Sequence, residues 1–149
     1  MMLLLLYVIF TLCCCGYALA VGGITGRAGA AVILTKTVLD LSTAWIDYSW
    51  QETMYPLLAI DLVCLFCFII LALRSDRLWP LWATGFQLVA VLIHLATVWE
   101  INIAPKAYQA LQQLWTIPMQ LAMLSGIMAD QRKRIADLIS EAALRGRTH

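Results

Sequence analysis

The chain has 149 residues, of which 62% are hydrophobic and 13% charged, with a mean hydropathy of +0.83. Soluble domains carry roughly 25% charged and about 45–50% apolar residues, so the composition points away from a water-soluble globule. A formal net charge of +1 removes any bulk electrostatic case for nucleic-acid binding.

The charges are unevenly placed, with 11 in residues 1–129, eight in the last 20, and none in the first 26. That distribution predicts a membrane-embedded body, residues 1–128, with a short wet tail, residues 129–149. A helix needs about 20 residues to cross roughly 30 Å of hydrocarbon. Five stretches qualify in chain order: 1–21, 28–48, 56–73, 78–101 and 105–128. The first is almost wholly apolar. Lys36 and Asp40 interrupt the second, Asp61 the third and His94 the fourth, while Gln109, Gln112, Gln113 and Gln120 dilute the fifth. Pro56, Pro80 and Pro105 each sit near a proposed helix start, where the missing N–H costs little. Pro118 falls mid-span and predicts a kink, because it frees the carbonyl of Leu114. The tail continues as a helix whose Ile135, Leu138, Ile139 and Ala142 share one face. Lys133–Asp137 and Glu141–Arg145 are spaced as ion pairs on its wet side, and Gly146 is the expected stop.

The expected fold is therefore all-α, a five-helix transmembrane bundle with a short amphipathic cytoplasmic C-terminal helix. Short connections imply antiparallel neighbours. With the N-terminus outside, Arg27, Arg74, Arg77, Arg132, Lys133, Arg134, Arg145 and Arg147 all fall on the cytoplasmic side. Only Lys106 falls opposite, beside Asp47, Glu52 and Glu100. Trp45, Tyr48, Trp50, Tyr55, Trp99 and Tyr108 would mark the outer headgroup level, and Trp79 and Trp82 the inner one. Ala18-Leu19-Ala20 resembles a signal-peptide cleavage site, but no basic segment precedes it, and cleavage would force Arg27 and the basic tail outward.

Familiar catalytic patterns are missing. Cys13, Cys14 and Cys15 point around one helix, and the C-x-x-C of Cys64 and Cys67 lies on an apolar helix, where thiols act as small hydrophobes. Gly22 and Gly26 are spaced for close helix approach or a tight loop, with no strand to make a dinucleotide fingerprint. No cofactor or metal is expected, since His94 and His149 are the sole histidines and no ligand spacing accompanies them.

Polar residues within the spans carry the functional signal, because such groups must face the bundle interior and pair. Lys36, Asp40, Thr43 and Asp47 form one stripe on the second helix. Counting inward at about 1.5 Å per residue puts Asp40 about 10 Å deep, Asp61 about 8 Å, His94 about 10 Å and Gln113 about 12 Å. Lys36, Asp40, Asp61, His94 and Gln113 can therefore meet as one cluster. It would be either interhelical glue or a proton-, cation- or headgroup-binding site.

The stretch Leu73-Arg74-Ser75-Asp76-Arg77-Leu78-Trp79-Pro80-Leu81-Trp82-Ala83-Thr84-Gly85-Phe86-Gln87, continuing to His94-Leu95-Ala96, resembles a segment of short multi-pass inner-membrane proteins of alphaproteobacteria. The Gly-Gly turn followed by an arginine and the tyrosine opening the fifth helix are similar as well. The resemblance implies a bacterial inner-membrane location and carries over no activity and no functional residues. The expected function is a non-catalytic accessory or assembly subunit of a larger inner-membrane complex, with a membrane-protein partner or a second copy. Its basic run Arg132, Lys133 and Arg134 would attract anionic lipid. The alternatives are a small carrier or proton/cation relay using the cluster, or a membrane enzyme on lipid substrates with His94 and Asp61 as acid and base.

Overall fold

The computed structural model describes the backbone of residues 2–46, 50–99 and 105–147, and the side chains of residues 2, 5–42, 55–96 and 115–145. Five helices account for it: α1 (Met2–Val21), α2 (Gly23–Ile46), α3 (Trp50–Arg74), α4 (Trp79–Trp99) and α5 (Pro105–Arg147), with no strand among the described residues. Each helix packs on its sequence neighbour, and α1 closes the ring against α5.

Two helical stretches, Tyr55–Arg74 and Trp79–Ala96, are long and apolar enough to cross a membrane, at mean hydropathies of 2.8 and 1.4; Leu5–Val21 is a shorter apolar helix. Their surfaces are apolar, with Val63, Phe66, Leu81 and Leu92 all exposed.

The turns depart from the sequence expectation. The expected loop from Gly22 to Arg27 shrinks to Gly22 alone, because Gly23 adopts a φ of 62° and starts α2 at once. Arg27 then lies on α2 and donates from Nε to the Leu19 carbonyl at 2.9 Å. Likewise α3 begins at Trp50, ahead of Pro56, so the proline sits inside the helix and removes a single backbone donor. α5 is continuous through Pro118 and runs past Gly146 to Arg147. The tail is the last part of α5, and at about 1.5 Å per residue it extends roughly 24 Å beyond Gln131. The expected pair Lys133–Asp137 does not form among the described residues. Exposed pairs gain little Coulomb energy against the entropy of holding two long side chains.

One end of the bundle is tied by polar contacts. Gln131 Nε2 donates to the Val21 carbonyl at 2.8 Å, and Arg77 pairs with Asp130. The α1–α2 turn, the α3–α4 connection and the start of the tail therefore share that end, and with them Arg27, Arg74, Arg77, Arg132, Lys133 and Arg134.

Trp79 is a correction. The sequence placed it at a headgroup boundary, yet it is 4% exposed and packed in the core, while Trp82 remains exposed. The reason is local: Gly29 and Gly126 leave room for the indole, with backbone where side chains would otherwise stand. The apolar core continues through Ile33, Phe68, Ala83, Met119, Met123 and Ile127.

Glycines elsewhere behave differently. Gly85 has no neighbour near its missing Cβ, so Gly85→Ala is expected to stabilise the protein by about 0.5–1 kcal/mol through lost backbone entropy in the unfolded state. Gly23→Ala, at a left-handed φ, is expected to cost about 1–2 kcal/mol. Melting of the two purified variants in one detergent checks both signs; equal shifts would contradict the turn geometry.

Candidate functional site

Three helices bring the charged residues together. α2 offers Lys36 and Asp40 one turn apart, as i,i+4 spacing requires. Lys36 Nζ stands 2.5 Å from Asp40 Oδ2 and 2.8 Å from Asp61 Oδ1 on α3. The other Asp61 oxygen, Oδ2, lies 2.6 Å from His94 Nε2 on α4. Asp40, Lys36, Asp61 and His94 thus form a linked row across three helices. The Gln113 side chain lies outside the described residues.

Gln87 is the residue the sequence reading missed. Its Nε2 donates to Asp61 Oδ1 at 2.8 Å and to the Asp61 carbonyl at 3.2 Å. A signal existed, because Gln87 precedes His94 by two helical turns and so shares its face of α4. Lys36 and Gln87 give the Asp61 carboxylate two donors and His94 Nε2 stands against its other oxygen, which is how a buried charge is tolerated.

Burial is graded along the row. Asp61 and His94 are each 1% exposed, whereas the Lys36 side chain is 11% and the Asp40 side chain 31% exposed. The row therefore reaches the surface at Asp40. Beside it lies a cavity of about 40 Å³, room for roughly one to three water molecules, lined by Lys36, Asp40, Asp61, Gln87, Trp115 and Thr116 among others. Phe86 and Trp115 stack across its wall with ring centroids 6.5 Å apart. The indole Nε1 of Trp115 is buried and has no hydrogen-bond partner.

A second polar contact lies farther along α5. Gln120 Nε2 donates to Thr11 Oγ1 of α1 at 2.9 Å, with both residues fully buried. It ties the first helix to the last and holds no ionisable group. The cysteines show packing roles: Cys14, Cys15 and Cys64 are buried, Cys13 is exposed, and no disulfide joins them.

Formal charge is informative here. With a neutral imidazole, Lys36, Asp40, Asp61 and His94 sum to −1, and one further proton or monovalent cation brings the row to zero. Net charge is costly in a low-dielectric interior, so the arrangement can hold that additional positive charge. No protein-family model matches the chain, and neither a curated protein nor a solved structure matches it, so the reading of this row rests on its geometry.

Proposed function

We propose that this chain is a small multi-pass protein of the bacterial inner membrane that handles a proton or a small cation at the row Asp40–Lys36–Asp61–His94. Its five helices span the bilayer, with the N-terminus outside and the C-terminus in the cytoplasm. The observation that carries the reading is an inverted distribution of polarity. Asp61, Gln87 and His94 are 1–2% exposed, while Val63, Phe66 and Leu81 on the same helices are 62–68% exposed. In water this arrangement strands apolar surface; in hydrocarbon it is the expected one. Gathering Arg27, Arg74, Arg77 and the Arg132–Arg134 run at one end supports the orientation, since basic loops stay cytoplasmic. The same run supports contact with anionic headgroups there.

The test is proton and cation uptake by the purified full chain in detergent. Wild type is expected to take up one more proton, or to bind one more sodium ion, than Asp61→Asn over a titration from mildly alkaline to mildly acidic pH. Asp61→Asn keeps the side-chain shape, and its melting curve checks that it folds. A folded Asp61→Asn protein with wild-type uptake of both ions would overturn the reading.

One observation favours a second reading, the accessory or assembly subunit. Residues 132–145 are all exposed, and Ile135, Leu138 and Ile139 form an uncovered apolar face on the tail. A membrane-protein partner or second copy would cover it. The polar stripe of α2 lends this reading no support, because Lys36 and Asp40 find partners within the chain. For lipid chemistry, a substrate would have to reach Asp61 and His94 at 1% exposure.

A further inference from the structure

We infer that the row is a proton-loading site open to one side only, with water in the adjoining cavity as the ligand that carries the proton inward from Asp40. The inference rests on the reading above and narrows it twice, from proton or cation to proton, and from handling to loading without passage.

The ion follows from what already occupies the site. A metal cation holding Asp40 and Asp61 together would sit between the two carboxylates, and the Lys36 ammonium stands there, at 2.5 and 2.8 Å. A second cation would meet that charge at close range in a medium that screens it poorly. A proton needs no such space. It is passed along hydrogen bonds, and Asp61 Oδ2 and His94 Nε2 are already 2.6 Å apart to share it.

The route follows from the cavity. Asp40 is the member of the row with the greatest access, Asp61 the deepest carboxylate, and the two line the same cavity of about 40 Å³. Lys36 sits on the direct line between them and carries protons of its own, so a proton travelling inward passes around it through water. Trp115 gives an independent sign of that water, since it lines the cavity and its buried Nε1–H lacks an acceptor. A water molecule in the cavity is an acceptor of the right kind.

The sidedness follows from the packing beyond the row. Toward the end that holds the α1–α2 and α3–α4 turns, the interior is filled by Ile33, Phe68, Ala83, Met119, Met123 and Trp79, each at most 4% exposed. From Met119 to Ile127 on α5 this apolar layer is about 12 Å thick at 1.5 Å per residue. Among the described residues it holds no carboxylate, imidazole, ammonium or guanidinium; its polar members are the thiols of Cys15 and Cys64 and the Gln120–Thr11 pair on its α1 side. Among the described residues, the titratable groups facing Asp61 are Lys36 and Asp40 from α2, Cys64 from α3 itself and His94 from α4; α5 presents Trp115 and Thr116, neither of which titrates.

The experiment uses the full chain in liposomes, with one pH dye trapped inside and another outside, and an acid pulse given externally. Wild type is expected to remove protons from the external medium in an Asp61-dependent way, at most one per chain, while the lumen trace matches that of Asp61→Asn liposomes. Replacing external choline by sodium is expected to leave the uptake unchanged. Asp61-dependent acidification of the lumen would overturn one-sided loading and leave proton handling standing. Competition by sodium would overturn the choice of ion and likewise leave the broader reading intact. Absence of any Asp61-dependent uptake of proton or sodium would sink both. A Trp115→Phe variant, which keeps the ring and deletes the N–H, is expected to slow loading severalfold without changing its extent. An unchanged rate would remove Trp115 and its water from the route.

Discussion

Asp61→Ala is expected to destabilise the protein by about 3–5 kcal/mol, the cost of breaking a buried ion pair by removing one partner. The carboxylate is 1% exposed and meets Lys36, Gln87 and His94 at 2.8, 2.8 and 2.6 Å, so its loss removes a partner from three polar groups at once. Lys36 suffers most, because its ammonium, 11% exposed, keeps only Asp40 as a counter-charge. A double variant, Asp61→Leu with Lys36→Met, removes both charges, and it is expected to recover part of the loss, since hydrophobic replacement of a buried pair is often neutral or better. Melting in detergent and the yield of monodisperse protein measure both variants. An Asp61→Ala protein that melts with wild type would mean that the carboxylate is not held as described.

Gly126→Ala is the second large effect, with an expected cost of about 1–3 kcal/mol from overpacking. A Cβ at that position would lie 2.5 Å from Trp79 Cδ1 and 2.6 Å from both Cβ and Cγ of Trp79. The near part of the indole cannot swing away, because Cβ is anchored to the α4 backbone. Nor can the far edge retreat, since Gly29 packs against it and a Cβ there would lie 2.5 Å from Trp79 Cη2. Rescue distinguishes this account from a general intolerance of α5 to change. In a Trp79→Leu background the added methyl meets a smaller side chain, so Gly126→Ala should cost much less there than in wild type. Equal costs in the two backgrounds, read from the melting midpoints, would refute the contact.

Both variants probe features that differ in how far the sequence reveals them. The Lys36–Asp40 pair is local: four residues on one helix bring the groups within reach whatever surrounds them. Asp61 and His94 share a depth by simple counting along two antiparallel helices, and that count needs no coordinates. The contact of Gln87 with Asp61 was readable in principle from its position two turns before His94, yet nothing in the sequence distinguishes it from a glutamine that merely dilutes a span. Trp79 went the other way. An aromatic residue near a helix end reads as a headgroup anchor, and only the two glycines, 50 residues before it and 47 after, create a place for it inside. The α1–α2 turn was also misjudged, because a run with Gly22, Gly23 and Gly26 is compatible with a loop of several residues or of one.

The helical class follows from the sequence alone, since long apolar runs broken by short polar ones leave few other ways to satisfy backbone hydrogen bonds away from water. So does the residue inventory of the charged row, because ionisable groups within apolar stretches are too costly to be incidental. Which oxygen of Asp61 meets which partner, that the row reaches the surface at Asp40, and that an apolar layer closes its other side were decided by tertiary structure. These depend on the rotation of each helix about its axis, which is set by packing between residues distant in sequence, such as Trp79 against Gly29 and Gly126, and not by the order of residues along any one helix.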